Sequence, residues 1–358
     1  MKRRDFLRLA GALPAGMAIP GLTLAGGTPT ARINDGWRVF ELSYDIELID
    51  NEGAARLWLP VPATTTEGYQ RLLGHRWQSN AAKVVLESEP AYRSQALVAE
   101  WRDGDTPRRL QATFKVATRD YAVDLRHAAP RAGDDPTQYL KPTPHMPIDG
   151  VVGETAQRIA GGVRDPLTRA RLVYDWVVDN SFRDPNVLGC GNGDIRHMLE
   201  SGNLGGKCAD LNALFVGLAR AVGLPAREVY GVRVADSRFS KSMGKSGDVS
   251  KAQHCRAEFH LEGVGWVPVD PADVRKVILE EKRQLDDPRI VELRERLFGN
   301  WEMNWVAFNS ARDFQPATAA EKPLNYFMYP YAETKSHVLN GLRPDQFNYA
   351  IQSRELTA

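Results

Sequence analysis

Gly205-Gly206-Lys207-Cys208-Ala209-Asp210-Leu211-Asn212-Ala213-Leu214-Phe215, running on to Val222-Gly223-Leu224-Pro225, decides how this chain is read. Leu211, Leu214, Phe215, Leu218 and Val222 recur at the spacing of one helix face, and Gly223 followed by Pro225 supplies the stop. Cys208 therefore opens a buried helix. It stands three residues before Leu211 and seven before Phe215, close to the inward stripe. There the partial positive charge of a helix N-terminus stabilises a thiolate. The two preceding glycines let a substrate backbone or a neighbouring loop approach closely. A cysteine at a helix start is by itself more often inert core, so its partners decide.

The partners stand in Gln253 to Pro271. Segments His254 to His260 and Val264 to Asp270 flank Leu261-Glu262-Gly263, a three-residue loop with glycine where a type I turn plus bulge requires it. In that register His254 and Asp270 are directly opposite on one face of a hairpin, with Cβ atoms about 5 Å apart. An aspartate there can accept the imidazole N–H and fix its tautomer, as a base that activates a thiol requires. A bulged register differing by one residue breaks this geometry and stays open. Alternation points Cys255 to the opposite face from His254, together with Ala257 and Phe259, which argues against a second nucleophile.

The run Gly206-Lys207-Cys208-Ala209-Asp210, the segment Ala219 to Arg227, and Gln253-His254-Cys255-Arg256-Ala257-Glu258-Phe259 with Gly265-Trp266-Val267-Pro268-Val269-Asp270-Pro271 resemble the bacterial transglutaminase-like superfamily. By motif the resemblance covers about Asp165 to Arg275, and the strand-rich start and aromatic tail look like exported members. It implies an α+β protein with a papain-like transglutaminase core, in which Cys208 is nucleophile, His254 base and Asp270 orienter. It also implies thioester chemistry on amide bonds, by hydrolysis or by transfer to an amine. Cys255 departs from the family pattern, which has an apolar or small residue after the histidine. The backbone N–H of Cys208 is a natural oxyanion donor. Trp176 is similar in placement to an indole donor of some family members, although a tryptophan in an apolar stripe is more often core.

Other chemistry fits less well. A zinc site from Cys190, Cys208, His254 and Cys255 lacks paired C-x-x-C spacing and needs neighbours on opposite strand faces, so no metal or other cofactor is expected. Gly189-Cys190-Gly191-Asn192-Gly193-Asp194 has no Lys-Ser/Thr ending and reads as a loop beside the cleft rather than a phosphate loop. His197 and His260 read as structural.

Further outward, Phe40, Leu42, Tyr44, Ile46 and Leu48 alternate with polar residues as a half-buried strand, and similar runs follow at 55–61, 83–86, 95–101 and 110–116. A β-sandwich is expected over 36–128. Five prolines between Pro130 and Pro147 mark a linker over 129–149, and helical periodicity at 154–159 and 167–178 opens a catalytic core over 150–290. From Phe298 to Tyr331 stand nine of the chain's 31 aromatic residues, so an aromatic-rich extension over 291–358 is expected to pack on that core; it either covers the core's flank, the plainer reading, or in part lines a substrate groove.

Residues 1–31 read as a twin-arginine export signal. Lys2-Arg3-Arg4-Asp5-Phe6-Leu7-Arg8 precedes a weakly apolar stretch broken by glycine and proline, with cleavage after Ala25 or at Ala31. Arg8 and those interruptions weaken a membrane anchor. The reading is a periplasmic protein with no stable anchor. With a net charge of +1 there is no footprint for nucleic acid, and the partners expected are peptide, protein or small amide substrates. In an oxidising compartment three cysteines leave one unpaired; if Cys208 is the free nucleophile, parity allows a bridge only between Cys190 and Cys255, while a free Cys255 buried with Ala257 and Phe259 is the ordinary alternative and the sequence does not decide. A rival reading keeps the fold without activity, as a periplasmic binding or assembly protein.

Overall fold

The computed structural model describes residues 36–50, 52–66, 68–125, 135–316, 323–342 and 347–356. The export signal expected over 1–31 lies outside the described residues, as do residues 129–134 of the linker expected over 129–149.

Alternation along Arg38–Leu48 turns Phe40, Leu42, Tyr44, Ile46 and Leu48 into one core. This strand lies between Arg108–Thr118 and Asn348–Leu356 in a six-stranded sheet completed by Gln70–Ser79, Thr65–Thr66 and Gly247–Asp248. Facing it is a five-stranded sheet in the order Val338–Asn340, Tyr331–Thr334, Ala55–Pro60, Gln95–Trp101, Lys83–Ser88. Leu57, Leu59, Leu97 and Ala99 of the second sheet meet Phe40, Phe114 and Ile46 of the first. Each such side chain, once buried, contributes about 1.5–3 kcal/mol.

The extension divides between the two halves of the molecule. Leu297, Phe298, Tyr326, Met328 and Tyr329 pack on the helical core. Tyr331–Thr334 instead pairs with Ala55–Pro60, and Asn348–Leu356 pairs antiparallel with Arg38–Leu48, Tyr44 opposite Ile351. A long central strand such as Arg38–Leu48 otherwise presents an open row of N–H and C=O groups, and the C-terminal strand satisfies them.

Among the described residues the second half holds six α-helices: α1 (Gly150–Ala160), α2 (Pro166–Asn180), α3 (Ile195–Ser201), α4 (Cys208–Ala221), α5 (Pro271–Glu280) and α6 (Pro288–Arg296). A four-stranded antiparallel sheet accompanies them, in the order Gly265–Val269, Gln253–Leu261, Ala226–Arg233, Trp305–Asn309. Every residue of α4 from Cys208 to Arg220 is buried, between this sheet and helices α1, α2 and α5. Gly223, at φ +84°, ends it in the left-handed conformation that glycine adopts without strain.

The hairpin register differs from the sequence reading by two residues. Leu261 pairs with Gly265 and Ala257 with Val269, so the loop is Glu262-Gly263-Val264 and His254 has no partner in that ladder. Gly263 and Gly265 both take positive φ, and this double glycine turn sets the loop one position later. A shift of two keeps every side chain on its face. The two halves are joined through Gln70, fully buried, whose amide Nε2 donates to Ala63 O and Ala307 O and whose Oε1 accepts from Ala307 N. Tyr69 adds a 2.6 Å hydrogen bond to Trp305 O.

Candidate active site

The site is built around one carboxylate. Asp210, in the first turn of α4, accepts the Lys207 N–H at 2.9 Å through Oδ2, and the N–H groups of Asn192 and Gly193 at 3.0 and 2.8 Å through Oδ1. It caps its own helix and holds the 188–193 loop against it. Two glycines make room: a Cβ at Gly191, at φ +94°, would stand 1.8 Å from Asp210 Oδ2, and one at Gly206 would stand 2.4 Å from Asp210 Cβ. The space beside Gly205 is taken by the Phe182 ring. The glycines before Cys208 thus admit side chains of this chain, where the sequence suggested a substrate or loop backbone.

The clamp brings Cys190 against Cys208. Ala209 N donates to Cys190 O at 2.9 Å, which seats the Cys190 thiol close enough to Cys208 for the two to influence each other's charge. Cys255 reaches Cys208 from the other side, off the strand beneath α4, on the core-facing side with Ala257 and Phe259 as alternation requires. All three cysteines are free, so the bridge that parity allowed between Cys190 and Cys255 is not formed, and two thiols stand beside a third.

His254 stands near enough to Cys208 to favour its thiolate. Its Nε2 lies 2.7 Å from Asp270 Oδ2, which leaves Nδ1 as the nitrogen without a carboxylate partner. Trp305 Nε1 donates to His254 O at 2.8 Å and fixes the backbone beneath the ring. Asp270 is held in turn as the cap of α5, accepting the Asp273 N–H at 3.1 Å, and Asn212, one turn into α4, donates to Cys255 O and, at 3.4 Å, to Asp270 Oδ1. The sequence-predicted Cys208, His254 and Asp270 therefore come together, all nearly fully buried.

Sequence reasoning missed Asp273. Its Oδ2 lies 3.6 Å from His254 Nε2, and its Oδ1 pairs with the buried Arg233 guanidinium at 2.6 Å. His254, Asp270 and Asp273 place potential metal ligands within 4.8 Å of one another. Arg233 already neutralises that corner, and Arg256 stands 3.9 Å from Asp270, so the arrangement is an ion-pair network. A hint existed in the spacing: Asp270-Pro271-Ala272-Asp273 begins a helix, and residues three apart there share a face.

The charges follow from these contacts. Hydrogen bonds from Cys190 and Cys255, followed by His254, outweigh burial and hold the Cys208 thiol well below its ordinary value. The same contact with Cys208 and burial push Cys190 up, and burial pushes Cys255 up. Burial and Arg233 pull the His254 imidazole down, but Asp273 and Asp270 together leave it raised. A thiolate facing an imidazolium is what this set supports. Behind Cys255, burial drives Glu228 up to about 7 against the pull of Arg312.

Over the site runs the aromatic segment. Tyr326 Oη donates to Gly191 O at 2.7 Å and Tyr329 Oη to Cys190 Sγ at 3.0 Å. Both rings line a cavity of about 270 Å³ with Asn192, Asn325, Pro330 and Leu342. This side of the extension covers the cleft. Trp176 is half-buried against the helical core, and no described contact brings its indole to Cys208. Among the described residues no acceptor takes the Cys208 N–H. His197 is exposed on α3, and His260 packs edge-on against Trp266.

A family model described as transglutaminase-like superfamily matches residues 153–271, the span that holds Cys208, His254 and Asp270. An uncharacterised protein of Haemophilus influenzae is 39% identical over 340 residues, covering 88% of this chain and 91% of that protein. Among solved structures, a candidate cysteine protease of Cytophaga hutchinsonii superposes with a TM-score of 0.57 at 16% identity, over 90% of this chain and 92% of that one, and shares the fold. The periplasmic domain of TgpA from Pseudomonas aeruginosa aligns with 71% of this chain and 98% of its own at 15% identity, but its TM-score of 0.32 carries no argument. With a close full-length relative, a shared two-part fold and a core that matches by motif, the chain belongs to the transglutaminase-like superfamily.

Proposed function

We propose that the chain is a cysteine acyl-transfer enzyme acting on amide bonds through Cys208, His254 and Asp270. The observation that carries this reading is the 2.7 Å contact between His254 Nε2 and Asp270, which leaves Nδ1 to serve Cys208 at the start of α4. The Cys208 thiolate attacks the amide carbonyl carbon, and the oxyanion is received by the unpartnered Cys208 N–H. His254 gives its proton to the departing amine. A second nucleophile then attacks the thioester and returns a proton to His254, releasing the acid if it is water or a new amide if it is an amine. Hydrolysis is the default, because transfer to an amine requires water to be kept out. The substrate is a peptide, a protein or a small amide. The test is turnover by the mature protein on muropeptides, peptide amides and amine donors, with Cys208→Ala as control. Activity that survives in that variant overturns the mechanism, and slow, ordinary alkylation of Cys208 favours a binding or assembly protein instead.

The same reading places the protein in the periplasm through the Arg3-Arg4 signal. No helix among the described residues is long and apolar enough to cross a membrane. Fractionation of cells expressing the wild type and an Arg3→Lys/Arg4→Lys variant tests the export route; periplasmic accumulation of both alike overturns it.

A further inference from the structure

Two thiols beside a reactive cysteine raise a question that acyl transfer does not answer. Neither Cys190 nor Cys255 is needed to break an amide bond, yet both are buried within reach of Cys208. Their supports differ. Cys255 lies inside the strand Gln253–Leu261, paired with Tyr230 of the neighbouring strand, with its thiol toward Glu228 Oε1 at 3.7 Å and its carbonyl held by Asn212. Moving its sulfur means moving a central strand. Cys190 sits on a loop between Gly189 and Gly191, both at positive φ, tied to α4 through its carbonyl rather than through a sheet. Its sulfur accepts from Tyr329 Oη at 3.0 Å and donates to Gln253 O at 3.3 Å, contacts that a small shift releases.

We propose that Cys190 is the resolving thiol for Cys208, so that hydrogen peroxide converts the pair to a Cys190–Cys208 disulfide instead of destroying the nucleophile. In the first step the Cys208 thiolate attacks one oxygen of the peroxide. The S–O bond forms as the O–O bond breaks, the sulfur loses two electrons to the peroxide, and with one proton taken up the products are Cys208 sulfenic acid and water. In the second step the Cys190 sulfur attacks the sulfenic sulfur, the S–S bond forms, and hydroxide leaves with the Cys190 proton as water. Two thiols of an external reductant reverse the bridge. Closing the sulfurs to about 2.05 Å needs a displacement that the glycine-flanked loop can supply and the strand cannot. Cys255 then stays reduced. The assignment rests on the reactive Cys208 of the proposed function and adds a protective fate for it.

The experiment is peroxide titration of the reduced mature protein, followed by denaturation, alkylation and intact and peptide mass analysis. The expected result is a loss of two hydrogens, one alkylated cysteine at 255, a mapped 190–208 link, and full return of three alkylatable thiols with dithiothreitol. Cys190→Ala should instead accumulate sulfinic and sulfonic acid at Cys208 that dithiothreitol does not reverse, while Cys255→Ala should still form the bridge. A link to Cys255, or over-oxidation of Cys208 as fast in the wild type as in Cys190→Ala, overturns the proposal. Iodoacetamide labelling of the reduced protein reads Cys208 reactivity separately. Fast labelling without a bridge overturns this proposal alone; slow labelling without a bridge overturns the enzyme reading with it.

Discussion

His254 Nε2 and Asp270 Oδ2 lie 2.7 Å apart although the two residues are not paired across the hairpin. The strand stops pairing at Val269, and Asp270 turns out of it to begin α5, with its other oxygen capping the helix on the Asp273 N–H. One carboxylate thus orients the imidazole and starts a helix. The geometry of the base is tied to the packing of α5 rather than to the register of the hairpin.

Because asparagine also caps helices, Asp270→Asn should keep the fold and lose the charge. Turnover should fall by about 10⁴-fold, the order seen when a triad aspartate becomes an amide, with the melting temperature nearly unchanged. Asp270→Ala should lose as much turnover and, in addition, about 1 kcal/mol of stability from the missing cap. Thermal unfolding and turnover on the same samples separate the two effects; an Asn variant with full activity would show that the contact does not serve the base.

The pH profile follows from the two shifted groups. The competent form needs Cys208 deprotonated and His254 protonated. Contacts with Cys190, Cys255 and His254 move the Cys208 limb well below the ordinary thiol value of 9.0, and Asp273 and Asp270 move the His254 limb above 6.5. Activity should therefore rise as pH climbs through the lowered thiol limb, hold between the two limbs, and fall above the raised histidine value. The rate of Cys208 alkylation should follow the acid limb alone. In Asp270→Asn the alkaline limb should move to lower pH; a limb that stays in place would mean that Asp270 does not hold the histidine charge.

Much of this site was legible because it is local. A helix stripe after Cys208 and a glycine turn between two alternating strands specify both elements, and an error of two in the register left every side chain on its face. What was not legible depends on distant segments. The strand Gln70–Ser79 exposes or half-exposes most of its residues, so its alternation is weak. Asn348–Leu356 is a strand because Arg38–Leu48 needs a neighbour, a demand written some three hundred residues away. Asp273 joins His254 only through the turn of α5, and the convergence of three sulfurs depends on the Asp210 clamp, which no spacing rule announces.

Trp176 offers a clean discrimination between two oxyanion donors. Its indole has no described contact with Cys208, whereas the Cys208 N–H is without an acceptor at the start of α4. Trp176→Phe should hold turnover within about threefold, against the roughly 10²- to 10³-fold loss expected when an oxyanion donor is removed. Steady-state rates on the best substrate of the amide screen decide it.

The clamp between Asp210 and the 188–193 loop predicts a coupled pair of substitutions. Asp210→Ala removes an acceptor from three backbone N–H groups and should cost roughly 3 kcal/mol, with new protease cleavage between Leu188 and Gly193. Gly191→Ala should cost more than its backbone strain, since its Cβ would fall 1.8 Å from the carboxylate. Gly223→Ala is the control for strain alone: its φ is +84° and its Cβ would meet nothing nearer than 3.9 Å, so about 1–2 kcal/mol is expected. In the double variant Gly191→Ala/Asp210→Ala the clash disappears with the carboxyl, so its cost should be smaller than the sum of the two singles. Urea unfolding of the four forms closes the cycle, and a coupling near zero would mean that the loop beside Cys208 is seated by something other than Asp210.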